Sequence, residues 1–358
     1  MPLSSLATFG DISSLKEGDN FSVFNGHEIC CKFIPFKQHR QGGNSEGNKT
    51  RKHKVPVAPL FAEHADTEQL AYNLAAFNPG DQIEITLKIH GTSGRTGYLP
   101  KLKKYKKTLW DIILGKEGKP VYEYDYVSGT RRTVLENYKG GYYGDNSFRE
   151  SHSKFFEGKL NKGETVYYEI CGFTNQITPI MGDGKVPVDY QKEYGERMIF
   201  SYGCSPTGKK TLHGKDENGD YFSIIEDAPI SDIYIYRMTL TTEDGFVVDY
   251  TPAFMRYRCE QMGVKTVPVF WRGYIPENPA SAEDDTITAG EWIKNKAELY
   301  YNGPDPIGKT HVREGVVVRI INRPKFCAYK HKNFLFKLIS GIVVENTKVE
   351  DEEILSEM

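Results

Sequence analysis

The sequence has no apolar run approaching the roughly 20 residues of a membrane-spanning helix. Its first residues, Met-Pro-Leu-Ser-Ser, lack the basic start and apolar core of a secretion signal. No charge excess stands out either, because 46 basic and 48 acidic residues give a net charge of -2. We therefore expect a cytoplasmic globular protein, and neither a membrane protein nor a wholly basic nucleic-acid-binding protein.

Cysteine is sparse, and its placement argues against two common kinds of site. The six cysteines are scattered and form no Cys-x-x-Cys pair, so neither a zinc cage nor a secreted disulfide framework is indicated. We expect reduced, structural cysteines. With 358 residues, of which 39% are hydrophobic, the chain can form one large domain or two modest ones with a real core.

Positive charge is concentrated in two segments although the total is balanced. Residues 37–54 contain six lysines or arginines, and residues 101–107 contain five lysines. A phosphate backbone is attracted by local positive charge rather than by net charge. Each segment is therefore a candidate contact for nucleic acid, with a solvated loop as the alternative.

Hydrophobic periodicity predicts a mixture of helices and strands. A short helix is predicted after Asp66 or Thr67, with Leu70 and Leu74 facing inward and Pro79-Gly80 at its end. Further helices are predicted at residues 147–159, 248–263 and 284–300, and strands at residues 165–173, 231–240, 264–271 and 334–340.

One stretch is the most informative for function. Apolar and polar residues alternate from Gln82 to Ile89, which predicts a half-buried strand with Lys88 on its polar face. The alternation then breaks into His-Gly-Thr-Ser-Gly, a turn whose backbone N–H groups can approach a phosphate closely. A lysine beside such a turn suits covalent chemistry on phosphorus, and an exposed strand lysine before a glycine turn is the alternative.

The segment Lys88-Ile-His-Gly-Thr-Ser resembles the Lys-x-His/Asp-Gly nucleotidyl-transfer motif of RNA ligases, DNA ligases and capping enzymes. Its His-Gly-Thr form is similar to that of phage- and bacterial-type ATP-dependent RNA ligases. The resemblance implies that Lys88 is the catalytic nucleophile and that His90 and Gly91 belong to the nucleotide site. His90 would bind a ribose hydroxyl or orient a phosphate, and a histidine bonded within the turn is the alternative.

Three segments further along resemble the family's next motifs in the same order. Gly-Thr-Arg131 is similar to its arginine-bearing turn, which implies that Arg131, or else Arg132, contacts the nucleotide or a 5′-phosphate end through its guanidinium fork. Glu169, in a Glu-x-x-Gly strand, would contact the ribose. Tyr236 would stack on adenine, although Arg237 follows it where the family often has Asp.

The strand Glu314-Gly-Val-Val-Val-Arg319 resembles a family strand in which the glutamate positions a metal ion and the final cation adds charge near phosphates. Its two charged residues are five apart, so in a regular strand they would face opposite ways. A bulge or bend near Gly315 would bring both to one pocket.

The predicted strand at residues 334–340 is similar to the family's final strand, which implies that Lys337 contacts the nucleotide phosphates. The phage-type pattern often has a second lysine two residues later, where this sequence has Ile339. Lys330 or Lys332 is the candidate replacement.

The resemblance implies an α+β fold: a nucleotidyltransferase (ATP-grasp-like ligase) domain with antiparallel sheets around a nucleotide cleft. We expect a small N-terminal module or extension at residues 1–60, the nucleotidyltransferase domain at residues 61–340 and an acidic tail at residues 341–358. The implied activity is ATP- and Mg²⁺-dependent RNA ligation. It would join RNA 5′-phosphate and 3′-OH ends through lysyl-AMP and an adenylylated 5′ end.

Two alternatives remain at this stage. A DNA ligase or a capping-type nucleotidyltransferase is disfavoured because those enzymes generally have Asp where His90 stands, and because only about 18 residues follow Ser340. A noncatalytic nucleic-acid-binding protein on the same fold would use the two basic segments and would form no covalent adduct.

Overall fold

The computed structural model divides the chain into two compact units, residues 1–54 and 55–358. It describes residues 23–25, 27–28, 55–64, 67–114, 116, 118–136, 138, 146–175, 177–215, 217–218, 220–280 and 286–342. In the first unit these residues form an antiparallel pair of short strands, β1 (Val23–Phe24) and β2 (His27–Glu28). The basic segment at 37–54 and most of the predicted acidic tail lie outside the described residues.

The second unit contains the remaining elements. Its strands are β3 (Glu68–Gln69), β4 (Gln82–Leu87), β5 (Thr92–Lys106), β6 (Lys119–Gly129), β7 (Glu164–Gly172), β8 (Asp183–Lys185), β9 (Arg197–Ile199), β10 (Lys209–Lys215), β11 (Tyr221–Asp227), β12 (Ser231–Thr241), β13 (Val247–Asp249), β14 (Val269–Tyr274), β15 (Gly315–Ile320) and β16 (Cys327–Lys332). Its α-helices are α1 (Leu109–Ile113), α2 (Ser147–Lys154), α3 (Gln191–Tyr194), α4 (Pro252–Met262), α5 (Ala289–Tyr301) and α6 (Phe334–Ile339). Single 3₁₀ turns lie at Leu74–Ala76 and Val188–Tyr190.

Two five-stranded sheets form the framework of this unit. The first has the order β13-β12-β7-β5-β6, and the second has the order β14-β4-β15-β16-β3. Among the described strands every pairing is antiparallel except that of β16 with β3. The predicted α+β class with antiparallel sheets is confirmed. Residues 55–60 lie in this unit, where the Leu102 N–H donates to the Val57 carbonyl at 2.8 Å.

Strand β4 follows the predicted alternation. Ile83 and Ile85 are fully buried in a core with helix α5, and Leu87 packs into a neighbouring core. Glu84, on the polar face, is only 3% exposed. The predicted half-buried strand is confirmed, since Gln82, Thr86 and Lys88 on the polar face are partly exposed, and Glu84 is the exception because it lies inside a cleft.

Two predicted helices are confirmed with the expected caps. Thr251 accepts a hydrogen bond from the Phe254 N–H at the start of α4, and Gly263 ends that helix with φ of 70°, a conformation that favours glycine. Helix α5 begins with a capping box between Thr288 and Glu291.

Two other predicted elements are wrong. Residues 68–69 form strand β3 instead of a helix, because the buried Leu70 is tied to the sheet through its N–H to the Lys330 carbonyl. Residues 334–339 form helix α6 instead of a strand, capped by the Asn333 side chain. The apolar positions that face the core there, Leu335, Phe336 and Ile339, have helical spacing.

None of the helices in the described part of the chain has the length and apolarity needed to cross a bilayer. The four described cysteines, Cys171, Cys204, Cys259 and Cys327, are free thiols. Cys30 and Cys31 lie outside the described residues.

Candidate active site

A cleft lies between the two five-stranded sheets. One wall carries Glu169 from β7 and Tyr236 from β12, and the other carries side chains of β4 and β15. The empty space inside the cleft is about 820 Å³, a figure that includes open solvent. Its lining comprises His64, Thr67, Glu84, Thr86, Leu87, Lys88, Ile89, Arg131, Glu169, Tyr236, Met255, Arg256, Val267, Val317, Arg319, Phe326 and Ala328.

Lys88 stands at the end of β4, where the strand gives way to the turn. Its backbone N–H donates to the Gly315 carbonyl at 3.0 Å, which fixes its position against the start of β15. Its ammonium group lies 2.9 Å from Glu314 Oε1, and its side chain is 22% exposed. The lysine is thus held by a buried carboxylate yet remains accessible from the cleft.

Glu314 is the centre of a charge cluster. It is 2% exposed, and its Oε1 also lies 3.3 Å from the Lys332 ammonium, while Oε2 lies 3.6 Å from His90 Nδ1. Burial alone would raise the pKa of this carboxyl, but Lys88, His90 and Lys332 outweigh burial and hold the pKa well below its usual range. Glu314 is therefore ionised throughout the physiological range.

Lys332 enters this cluster from β16, two positions after Lys330. Burial lowers the pKa of Lys332, Glu314 opposes that effect, and Lys88 adds to it. Lys337, predicted to lie on a final strand, lies instead on α6. It is close enough to Lys332 for its charge to lower the pKa of Lys332. Ile339 is a core residue. The structure thus places Lys332, rather than the 339 position, beside Lys88.

The bend anticipated near Gly315 is present. Gly315 has φ of 142°, which breaks the regular alternation between Glu314 and β15. As a result Glu314 faces Lys88 while Val317 and Arg319 also line the cleft. A side chain at Gly315 would collide with the His331 backbone carbonyl on the paired strand. Glycine is therefore favoured after Glu314 both by its φ angle and by the lack of space for a Cβ atom.

The Gly315→Ala variant is therefore expected to be less stable by at least about 2 kcal/mol and to lose activity, because β15 must move away from β16 and carry Glu314 with it. Urea unfolding measures the first effect. Gly195→Ala is the matched control, since Gly195 also has a positive φ of 77° but open space around it, and it should cost about 1 kcal/mol. Equal losses in the two variants would contradict the steric argument.

The turn after Lys88 packs closely against β7. A side chain at Gly91 would meet the Ile170 carbonyl and the Glu169 side chain, so only glycine permits this approach. The His90 ring lies edge-on between Phe200 and Phe336, at centroid distances of 4.8 and 4.7 Å. Its backbone N–H donates to the Tyr202 hydroxyl at 2.6 Å. His90 is thus fixed next to Glu314.

Glu169 and Tyr236 face Lys88 from the opposite sheet. The pairing of β12 with β7 shifts register between Ile235 and Arg237, which makes Tyr236 the residue of a bulge and aims its ring into the cleft. The Tyr236 hydroxyl lies 3.2 Å from Ser93 Oγ. Burial raises the pKa of Glu169 to about 7, with Lys88 opposing this effect and Glu314 reinforcing it.

The raised pKa of Glu169 predicts a pH-dependent stability. Between its ordinary value of 4.5 and about 7 the folded state retains the proton that the unfolded state has lost, so the contribution of this group is fully present below pH 4.5 and is lost as pH rises through 7. The Glu169→Gln variant should therefore gain up to about 3 kcal/mol of unfolding free energy relative to wild type between pH 4.5 and 8. Urea unfolding across this range tests it, and a difference that does not change with pH would contradict it.

The inner end of the cleft is charged. Arg319 pairs across the sheet with Glu84, four residues from Lys88, or roughly 13 Å along β4. Glu84 forms an ion pair with Arg256 at 2.8 Å, and Arg319 lies 3.9 Å from Asp249. The structure therefore does not bring Arg319 to the Lys88 end, where the sequence analysis expects it to add charge near phosphates.

Arg237, where the family resemblance leads one to expect Asp, forms a bidentate pair with Asp249 at 2.6 and 2.9 Å. The carboxylate near Tyr236 therefore comes from β13 across the sheet rather than from the next residue. Asp249 and Arg256 carry no sequence signal, because sheet pairing and helix packing bring them here. Glu84 could have been found, since it shares the polar face of β4 with Lys88.

A shallow basin adjoins the mouth of the cleft. It is lined by Gly91, Thr92, Ser93, Thr130, Arg131, Arg132, Arg149, Glu169 and Met181. Arg131 and Glu169 line both the cleft and the basin. Arg131 is exposed, whereas the Arg149 guanidinium is buried and donates to the Ser93 carbonyl at 2.8 Å. The two predicted alternatives, Arg131 and Arg132, thus both reach this basin.

The residues around Glu314 suit a metal ion that arrives on a nucleotide. Within the described ranges no group of three or more His, Cys, Asp or Glu side chains could hold a metal by itself. Glu314 Oε2 is buried and has no hydrogen-bond partner among the described residues. Mg²⁺ is commonly held by one or two carboxylates together with substrate phosphates and water. The Glu314 Oε2 atom could supply the carboxylate ligand of such a site.

No family model and no curated protein matches the sequence. Among solved structures, an RNA ligase of Naegleria gruberi aligns in several forms. A mutant with ATP and Mn aligns at 16% identity and a TM-score of 0.42, covering 78% of this chain and 58% of that one. The form with PPi aligns at 15% identity and a TM-score of 0.43, covering 82% and 63%. This chain thus spans less than two thirds of the length of those chains.

Proposed function

We propose that the protein is an ATP-dependent RNA ligase that joins 5′-phosphate and 3′-OH ends, with Lys88 as the nucleophile. The observation that carries the proposal is the Lys88–Glu314 pair at the end of a cleft between two sheets. The lysine lines this cleft with 22% of its side chain exposed, next to a glycine turn and a second cation, Lys332. An ion pair that served only to stabilise the fold would not need a lysine that is accessible from the cleft.

In the first step the neutral amine of Lys88 would attack the α-phosphorus of ATP. An N–P bond forms, the bond to the bridging oxygen breaks, pyrophosphate leaves and the amine loses a proton. Glu314 holds Lys88 in place before the nucleotide binds, and Lys332 supplies fixed positive charge for the phosphates. Bound Mg²⁺, held through Glu314, would supply charge neutralisation on the triphosphate.

The rest of the nucleotide would extend along β4 toward the inner end of the cleft. Glu169 would contact the ribose hydroxyls and Tyr236 would stack on the base, and their position on the opposite wall supports both roles. Glu84, Arg256 and Arg319 would then meet the polar edge of the base. This assigns Arg319 to the base end instead of the phosphates.

The second and third steps would take place at the basin. A 5′-phosphate oxygen attacks the phosphorus of lysyl-AMP, the N–P bond breaks and Lys88 regains its proton. A 3′-hydroxyl then attacks the 5′-phosphorus and releases AMP. Arg131 lies where cleft and basin meet, so it could contact the nucleotide first and the incoming 5′-phosphate afterwards.

The test is a joining assay with 5′-labelled RNA carrying a 3′-OH, with ATP and Mg²⁺, run beside a DNA strand of the same sequence and beside 5′-diphosphate RNA with GTP. We expect joined RNA and a transient adenylylated 5′ end. Faster joining of DNA would favour the DNA ligase alternative, and GMP transfer to the diphosphate end would favour a capping enzyme. Binding of RNA without a covalent protein adduct or product would favour the noncatalytic binding protein.

A further inference from the structure

Strands β5 and β6 of the first sheet extend beyond strand β7 as a long hairpin. β5 pairs with β7 only from Thr92 to Gly97, whereas its pairing with β6 continues to Lys106, opposite Lys119. Helix α1 lies between the two strands in the chain. We refer to residues 99–125 as the arm. No step of the proposed reaction uses the arm.

The near end of this hairpin is part of the candidate site. Thr92 and Ser93 at the start of β5, and Thr130 and Arg131 just after β6, all line the basin. The 15 residues of β5 measure roughly 46 Å at about 3.3 Å per residue. The arm therefore connects the basin to a point up to that distance away.

The arm carries an excess of positive charge. Two of its carboxylates are engaged locally, because Asp125 lies 3.0 Å from the Lys103 ammonium and Asp111 accepts from the Thr108 N–H and hydroxyl. Lys101 also lies 3.8 Å from Asp125. The other five lysines of the arm are exposed and form no ion pair with any carboxylate in the described part of the chain: Lys104, Lys106, Lys107, Lys116 and Lys119. Residues 99–125 contain seven lysines and four acidic residues, and such a local excess of positive charge attracts a polyanion.

The tip of the arm exposes large apolar side chains. Trp110 is 72% exposed and its neighbour Leu109 is 80% exposed, while Ile113 and Leu114 are 72% and 59% exposed. An indole exposed beside lysines is the combination by which proteins hold nucleic-acid strands, since the ring stacks on a base and the ammonium groups contact phosphates.

We propose that the arm is a second RNA-binding surface, which holds the substrate strand by lysine–phosphate contacts along β5 and by stacking of a base on Trp110. The proposal rests on the proposed function for the identity of the polyanion. A protein partner is disfavoured, because lysine is depleted from protein–protein interfaces. An anionic membrane is the competing ligand for this tip, so binding to anionic vesicles is measured alongside binding to RNA.

The length of the arm predicts a threshold in substrate length. At about 3.4 Å per stacked nucleotide, roughly 46 Å corresponds to about 13 nucleotides. RNA shorter than about 10 nucleotides would occupy only the basin, whereas RNA longer than about 20 would also reach Trp110. Wild-type protein should therefore show a KM about tenfold lower for the longer RNA.

The experiment compares a variant with Lys104, Lys106 and Lys107 replaced by glutamine, and the Trp110→Ala variant, with wild type. Both variants should raise the KM for long RNA about tenfold, leave kcat and the KM for short RNA unchanged, and form the AMP adduct normally. The glutamine variant should also make the dependence of log K on log salt shallower by about 2, at roughly 0.7 per phosphate contact. Neutralising three exposed lysines outside the arm, Lys185, Lys192 and Lys209, is the matched control and should have no such effect.

Binding of fluorescent long RNA, measured by anisotropy, separates this proposal from the proposed function. If wild type joins RNA but both arm variants keep the wild-type KM and affinity, the arm proposal is wrong. The same conclusion follows if Trp110 is needed for binding to anionic vesicles and not for binding to RNA. If wild type forms no adduct but the arm variants weaken RNA binding, the arm proposal stands and the ligase proposal fails.

Discussion

The Lys88→Ala variant is expected to lose joining of 5′-phosphate RNA by more than about 10³-fold while it still seals RNA that already carries AMP on its 5′ end. The first two steps need the lysine nitrogen as the attacking atom and as the carrier of AMP. The third step needs only the basin and the surrounding cations. A single substitution should therefore separate the steps.

The measurement compares single-turnover rates on the two RNA substrates. Lys185→Ala is the control, because Lys185 is exposed on β8 and takes no part in the cleft; it should match wild type on both substrates. Equal loss on both substrates would mean that the substitution disrupts the site instead of removing a nucleophile. Retention of full activity on 5′-phosphate RNA would exclude Lys88 as the nucleophile.

The second large effect is expected at Glu314. The Glu314→Gln variant keeps the shape of the side chain but removes the charge that lies between Lys88 and Lys332. Two cations would then face each other beside a buried amide, which should cost about 2–4 kcal/mol of unfolding free energy. Adenylylation should fall by about 10²-fold or more, because neither lysine keeps its position.

The pH dependence of this effect has a definite sign. The pKa of Glu314 is depressed in the folded state, so its stabilising contribution is present above its ordinary pKa of about 4.5 and is lost as pH falls below that value. The stability difference between wild type and Glu314→Gln should therefore shrink from pH 7 toward pH 3. Urea unfolding at several pH values measures this difference, and a difference that grows on acidification would contradict the charge cluster.

The elements that sequence reasoning identified correctly are those whose pattern is local. The alternation of β4 and the caps of α4 and α5 depend on nearest neighbours along the chain. The bend at Gly315 was accessible in the same way, because two charged residues five apart in one strand required it. These features bring Lys88 and Glu314 within 2.9 Å of each other.

The errors arose where tertiary packing decides the outcome. Residues 334–339 are apolar enough for either a strand or a helix, and contact with the core selects the helix. Lys337 therefore lies on α6, whereas Lys332, one of the two candidates for the second lysine, lies on β16 beside Glu314. Likewise the carboxylate partner of Arg237 is Asp249, 12 residues away and on the adjacent strand, where sequence spacing gives no indication. Predicting the helix at residues 334–339 requires the core packing, and predicting the Arg237–Asp249 pair requires the sheet register.

The most direct test of the account is to locate the adenylate by mass spectrometry. The purified protein, first freed of any bound nucleotide with pyrophosphate and Mg²⁺, is incubated with ATP and Mg²⁺, and its peptides are mapped. The account predicts one AMP group attached through a phosphoramidate to Lys88. AMP on a different lysine, or no covalent AMP with any nucleotide tried, would contradict it.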